Sequence, residues 1–284
     1  MKDELVKVLS LGAGVQSTAL LLMSIRGELP KLDYAIFADT GWEPKEVYDH
    51  LDWCFEQGEA AGIKMVKVSG GNLREQAVGA IDDTSKRFAS IPFFIKNLDG
   101  SVGMGRRQCT REFKIDPIEK YQRKEILKLK PRQHAPKEYK IEQWIGITRD
   151  EVVRAKDSMV KWKLHAFPFV DIPIGLGYLD KMWRRTDCIS WLEENVPDRY
   201  IPRSACVGCP YHNNAEWRRI RENEEEWRDA VEFDRKIREP GRGMAGKQYL
   251  HRDAVPLDQV DLRTDLEKGQ PDLWGNECEG MCGM

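Results

Sequence analysis

Apolar and polar positions fall into alternating blocks over the first seventy or so residues. Leu5–Leu11 is an apolar run broken by Lys7 and closed by glycine, the pattern of a buried strand. Gln16–Arg26 carries Ala19-Leu20-Leu21-Leu22-Met23, all strong helix formers. Leu32–Ala38 and Ile63–Val68 read as further strands. Pro44–Ala61 reads as the helix between them, with Pro44 near its first turn and Gly62 at its end. This βαβαβ rhythm predicts an α/β fold with a doubly wound, mainly parallel sheet, and ligands at the carboxyl ends of its strands.

Further along, Asp82–Gly105 reads as irregular, Ile118–Leu129 as a helix stopped by Pro131, and Tyr139–Ile147 as a strand. Tyr178–Asn195 reads as a helix with Leu179, Met182, Trp183, Ile189 and Leu192 on one side. Asn213–Glu239 reads as one highly charged helix whose apolar side holds Trp217, Ile220, Trp227, Val231 and Phe233. Its acids and bases are mixed, which suits a structural cover better than a nucleic-acid arm. The expected organisation is a nucleotide-binding and cysteine-bearing domain over residues 1–212, a helical extension over 213–252, and a flexible, mobile tail over 253–284.

Composition narrows the class. Of 284 residues, 41% are hydrophobic and 32% charged, a balance that supports a buried core. The net charge of −2 gives no overall attraction to nucleic acid or to an anionic membrane. No N-terminal signal pattern and no apolar run of membrane-spanning length is seen, so the expected location is cytoplasmic with no membrane partner. Seven cysteines are an odd count for such a chain, and point to metal, cluster or redox use over a disulfide framework.

The candidate chemistry begins at Ser10-Leu11-Gly12-Ala13-Gly14-Val15-Gln16-Ser17-Thr18, a strand end, a glycine turn and a helix start. Backbone N–H groups and the positive end of a helix dipole converge there, which makes an anion site, and Ser10, Ser17 and Thr18 add hydroxyls. Neither the P-loop lysine nor the third glycine of the dinucleotide fingerprint is present. Asp39, at the end of the second strand in Asp39-Thr40-Gly41, is either a turn residue or a nucleotide contact. Cys109 lies among Arg106, Arg107, Arg111 and Lys114, and nearby cations favour a thiolate. Arg149 and Arg154 follow a strand end, where guanidinium suits phosphate but surface salt bridging is equally open. Cys206-Val207-Gly208-Cys209 has the spacing of a zinc, iron–sulfur or redox dithiol turn. Cys188 sits at the edge of an apolar helix face, where a buried inert thiol is the ordinary reading. Cys278 and Cys282 lie in the tail.

Taken in order, these segments resemble the sulfonucleotide reductases, which act on phosphoadenosine phosphosulfate or adenosine phosphosulfate and belong to the adenine-nucleotide α-hydrolase-like, PP-loop proteins. Gly14-Val15-Gln16-Ser17 looks like their Gly-x-Gln loop, and Asp39-Thr40-Gly41 like their Asp-Thr-Gly strand end. Cys109 through Lys114 to Pro117 resembles their Cys-x-x-x-x-Lys-x-x-Pro segment. Trp144 through Arg149 and Asp150, with Arg154, is similar to their substrate segment. Cys206–Cys209 stands in place of their second cysteine pair, and Glu277-Cys278 and Cys282-Gly283 echo their catalytic tail. The resemblance implies that Ser10, Gly12, Gly14, Gln16, Ser17 and Asp39 hold an adenine nucleotide, and that Arg149 and Arg154 neutralise its phosphate or sulfonate. It implies a [4Fe-4S] cluster, a nucleophile at Cys278 or Cys282, and a thioredoxin-like reductant. The family's cluster-bearing members have two adjacent cysteines where this chain has Gln108-Cys109, so the expected ligands are Cys109, Cys188, Cys206 and Cys209. Without Cys188 the cluster has three protein ligands and an open iron, as in sulfur-inserting relatives. That alternative is an ATP- and Mg-using sulfurtransferase acting on a nucleic acid or a small molecule.

Overall fold

The computed structural model describes residues 5–82, 91–173, 175–238, 246–264 and 267–269. In chain order the first half runs β1 (Val6–Leu11), α1 (Val15–Arg26), β2 (Tyr34–Asp39), α2 (Lys45–Ala60), β3 (Lys64–Ser69) and α3 (Leu73–Asp82). Two short strands follow, β4 (Phe94–Lys96) and β5 (Val102–Met104), then α4 (Asp116–Tyr121), which is flanked by π-helical turns. The second half holds β6 (Ile141–Trp144), β7 (Lys163–Ala166), α5 (Arg185–Asn195), α6 (Asn214–Glu222), α7 (Glu224–Ile237) and β8 (Lys247–Tyr249).

The main sheet has the order β3-β2-β1-β6-β7, and every pairing is parallel. The chain therefore winds outward from β1 through β2 to β3, then returns to place β6 on the other side of β1. The crevice at the carboxyl ends of β1 and β6 is the point where the winding reverses, and open sheets of this kind bind ligands there. The expected α/β, doubly wound architecture is thus present in the described residues.

Both faces of the sheet are covered. On one face α1 is buried at Val15 and from Ser17 to Ser24 and packs with α2 and α5 over Leu9, Leu11, Phe37 and Trp144. A helix apolar all round, like the Ala19–Met23 run, must lie inside. On the other face Ile118 of α4 and Trp162 pack over Val8, Ile36, Val66 and Ile141. A further core joins Trp42, Leu73, Phe93 and Phe113 to Val207, Trp217, Phe233 and Leu257.

Residues on both sides of 212 share that further core, so α6 and α7 close over the first domain as a cover. They are two helices, broken at Asn223, whose side chain caps α7 by accepting from the N–H groups of Glu225 and Glu226. Residues 253–264 are also packed, with Leu257 and Leu262 buried, where a loose tail was expected. The stretch expected to be irregular contains β4 and β5, which pair with β8 in a small antiparallel sheet. The rest of the tail, 270–284, lies outside the described residues.

Candidate functional site

Two cavities open at the carboxyl end of the sheet. The larger, about 130 Å³, is bounded by the β1–α1 loop and by Ile145, Gly146 and Ile147 after β6. Five predicted nucleotide residues, Ser10, Gly12, Gly14, Gln16 and Ser17, line it. The loop is tightly made. Ala13 has φ +56° and is fully buried, a strained conformation for a residue with a Cβ. A Cβ on Gly146 would come within 2.9 Å of the Gln16 Cβ, so only glycine lets β6 end this close to the start of α1.

The donors differ from the sequence expectation. Ser17 Oγ accepts hydrogen bonds from the N–H groups of Gly12 and Gly14, at 3.1 and 3.3 Å, and donates to the Gly14 carbonyl. The loop glycines are thereby engaged by Ser17. The N–H groups of Val15, Gln16 and Ser17 stand in the first turn of α1 and have no acceptor within the helix. That turn contains no acidic residue, so its positive end is not neutralised locally.

Cations surround this opening: Lys114, Arg154, Arg185 and Arg203 line it, with Glu151 the one acid among the lining residues. Arg154 bonds Glu151 at 2.9 Å. Burial nonetheless pushes the Glu151 carboxyl upward, and Arg154 opposes the shift. Arg203 pairs with Glu216. Glu216 lies below the usual carboxylate range: burial raises it, but His212, Arg203 and the Asn213 N–H together outweigh burial. The floor is apolar, with Val15, Phe37, Ile118, Ile145 and Ile147.

Two predicted nucleotide residues are placed elsewhere. Asp39 does not line the cavity. Its carboxylate accepts from the Gly41 N–H and Tyr48 hydroxyl, both at 2.7 Å, and pairs with Lys67. Burial raises its pKa, but these three contacts outweigh burial and leave it lowered. It holds the turn after β2, where Gly41 has φ +69°. Arg149 is exposed and also off the cavity wall; its N–H donates to the Trp183 carbonyl. The Arg185 N–H donates to Asp150 at 2.8 Å, and this tie holds Arg185, not Arg149, beside Arg154.

The smaller cavity, about 40 Å³, holds the thiols. Cys109, Cys206 and Cys209 line it with Thr40, Trp42, Arg107, Lys114 and Tyr211. The Cys206–Cys209 turn is closed by the Cys209 N–H to the Cys206 carbonyl at 3.0 Å, and by His212 Nε2 donating to that carbonyl at 2.8 Å. It is fixed from below by Trp42, whose carbonyl accepts from the Val207 N–H. A Cβ on Gly208 would fall 2.0 Å from the Trp42 ring. Among the described residues, Lys114 is the one common to both cavity walls.

Cys188 is not with the other three. It is fully buried in the core that α1 and α5 share, and burial, then Asp187, push its thiol well up. The structure brings three of the four expected ligands, Cys109, Cys206 and Cys209, to one pocket and leaves Cys188 in the core. Among the described residues no group of three or more His, Cys, Asp or Glu side chains is placed to hold a metal ion. The three thiols beside a lysine are the soft donors that select iron or zinc, so the donor set fits a three-thiolate site that is not preset as a cage. Cys278 and Cys282 lie outside the described residues.

Fold and site together define an open α/β protein with a cation-lined crevice at its switch point and a thiol pocket beside it. Comparison of the sequence with protein-family models and with curated proteins found no match. Among the described residues no helix is long and apolar enough to cross a membrane.

Proposed function

We propose that this protein is a sulfonucleotide reductase-like enzyme, which reduces an adenosine phosphosulfate, with or without a 3′-phosphate, to sulfite. The observation that carries the reading is the pair of cavities with Lys114 in the wall of both. The adenine lies over the apolar floor of Phe37, Ile118 and Ile145, and the phosphate meets the first turn of α1. Arg154, Arg185 and Arg203 balance its charge and that of the sulfonate. Lys114 stands where the bond between sulfonate sulfur and phosphate oxygen breaks, and stabilises the departing phosphate. A tail thiolate, Cys278 or Cys282, attacks the sulfur; the sulfur–oxygen bond breaks and the nucleotide leaves with the electron pair. A thioredoxin-like dithiol then attacks the enzyme sulfur, sulfite departs, and the dithiol ends as a disulfide. Cys109, Cys206 and Cys209 would hold an iron–sulfur cluster through soft thiolate donors, and its open iron would supply Lewis acidity beside the sulfonate when bound.

The test is anaerobic incubation with each sulfonucleotide and a dithiol. Sulfite from one of them is the expected result; no sulfite from either, with iron present, sets the reading aside.

The position of Cys188 favours a second reading, the ATP-dependent sulfurtransferase, because three thiols leave one iron open to a sulfide. It predicts pyrophosphate from ATP and Mg, and no sulfite. Under either reading Cys188→Ala keeps the iron content of the wild type and loses about 1–2 kcal/mol of stability from the vacated core volume. Loss of iron in that variant, at unchanged folding, would restore Cys188 to the ligand set.

A further inference from the structure

Glu43 has no part in the chemistry above, yet it is the most confined carboxylate at the site. Its side chain is fully buried. It lines neither cavity and lies behind the wall they share. Its Oε1 accepts from the Thr40 hydroxyl at 3.1 Å, has Cys206 Sγ at 3.6 Å, and pairs with Lys114 Nζ at 3.5 Å. Its Oε2 is buried with no hydrogen-bond partner among the described residues. A half-satisfied buried carboxylate is costly, and an apolar side chain would fill this place at less cost. Its presence calls for a role, and among the described residues the cation it pairs with is the one common to both cavities. A lysine side chain is long and rotatable, and holding it in one rotamer carries an entropic cost. A fixed counter-charge behind the wall selects the rotamer in advance.

We propose that Glu43 is a positioning residue: it holds the Lys114 ammonium at the wall between the nucleotide crevice and the thiol pocket. This rests on the nucleotide reading of the larger cavity, and on no particular reaction there. Glu43 touches no ligand; it acts through Lys114. Removing its charge leaves the thiols and the β1–α1 loop in place but lets the ammonium leave the wall. Nucleotide affinity then falls by the amount that Lys114 contributes.

AMP binding, measured by calorimetry on the full chain, tests this through Glu43→Gln, Lys114→Met and the double variant, with melting temperatures in parallel. Each single variant weakens AMP roughly tenfold, and the double variant is no weaker than Lys114→Met alone, the mark of residues acting as a unit. Glu43→Asp, which keeps the charge, recovers most of the affinity. If Glu43→Gln fails to fold, the same cycle built on Glu43→Ala in a Thr40→Val background, where the hydroxyl that pointed at the carboxylate is also gone, gives the comparison. Wild-type affinity in a folded Glu43→Gln, or losses that simply add in the double variant, overturns the role of Glu43 alone. Failure of the wild type to bind AMP overturns the nucleotide reading as well. Production of sulfite does not enter this test.

Discussion

Two arginines five residues apart in sequence separate cleanly in space. Arg154 lines the larger cavity and Arg149 does not. Arg154→Gln should weaken AMP binding roughly tenfold or more, the loss expected for a charge-assisted contact, while Arg149→Gln should leave it within about twofold. Titration calorimetry on both variants decides it, and equal losses would contradict the geometry. Gly208 is a sharper case. Trp42 is buried, donates through Nε1 to Asp229 at 2.7 Å and stacks edge-on against Phe233 at 4.7 Å, so it has nowhere to retreat from an added methyl. Gly208→Ala should cost about 1–3 kcal/mol, seen as a melting point several degrees lower. At this scale the sequence was informative about what sits on the loops: glycines, hydroxyls and thiols at strand ends declare themselves by type and position. It could not show which polar atom a neighbour has already taken. Asp39 and Ser17 are both satisfied by residues close in sequence, and Arg185 and Arg203 enter the site from segments with no phosphate signature. Lys114 was visible as one of the cations around Cys109 and in a cysteine–lysine spacing, and Ser204, which packs on Gly14, had no signal at all.

Elements with one strong pattern were legible, and elements defined by their neighbours were not. β1, β2 and β3, with α1 and α2 between them, follow from apolar runs and helix signals within a few residues of their observed ends. β7 is only Lys163–Ala166, whose Lys163 is buried against Glu119; four residues with a buried lysine give no strand pattern. The expected helix from Tyr178 begins instead at Arg185, because Arg184 is extended and its N–H donates to Asp187 three residues on. Leu179 and Trp183 pack on the core from a loop, with positive φ at Gly175 and Gly177, so a helical spacing of apolar residues arose without a helix. The α6–α7 break was hidden because both helices keep an apolar side through it. Asn223 makes that break, and Asn223→Ala should cost about 1 kcal/mol through loss of the α7 cap, measured by denaturant midpoint at unchanged slope. A change in slope would mean that the pair α6–α7 separates from the rest before global unfolding.

For the molecule as a whole, the α7 helix matters because it reaches the thiol pocket through Trp42 and so ties the second half of the chain to the first. Global stability then governs the site, and two buried histidines make that stability sensitive to acid. His50 lies between α1 and α2: Thr18 Oγ1 is 2.9 Å from its Nε2, and Arg199 reaches its Nδ1. Burial, then the Arg199 charge, hold its pKa down to about 4. His251 bonds Asn214 and is likewise lowered to about 4, chiefly by burial. In the unfolded chain both titrate near 6.5. Above that pH both states are neutral and neither group discriminates between them. As pH falls through 6.5 the unfolded chain takes up protons that the folded chain refuses, so stability declines; below about 4 these two groups impose no further loss. The limit is roughly 3 kcal/mol for each histidine. Thermal midpoints should therefore fall steadily between pH 6.5 and 4, and His50→Gln, which can still donate to Thr18 and accept from Arg199, should flatten the decline by about half. A midpoint that is level over that window, or a slope untouched in His50→Gln with His251 intact, would show that the histidines are solvated through local opening before the fold gives way.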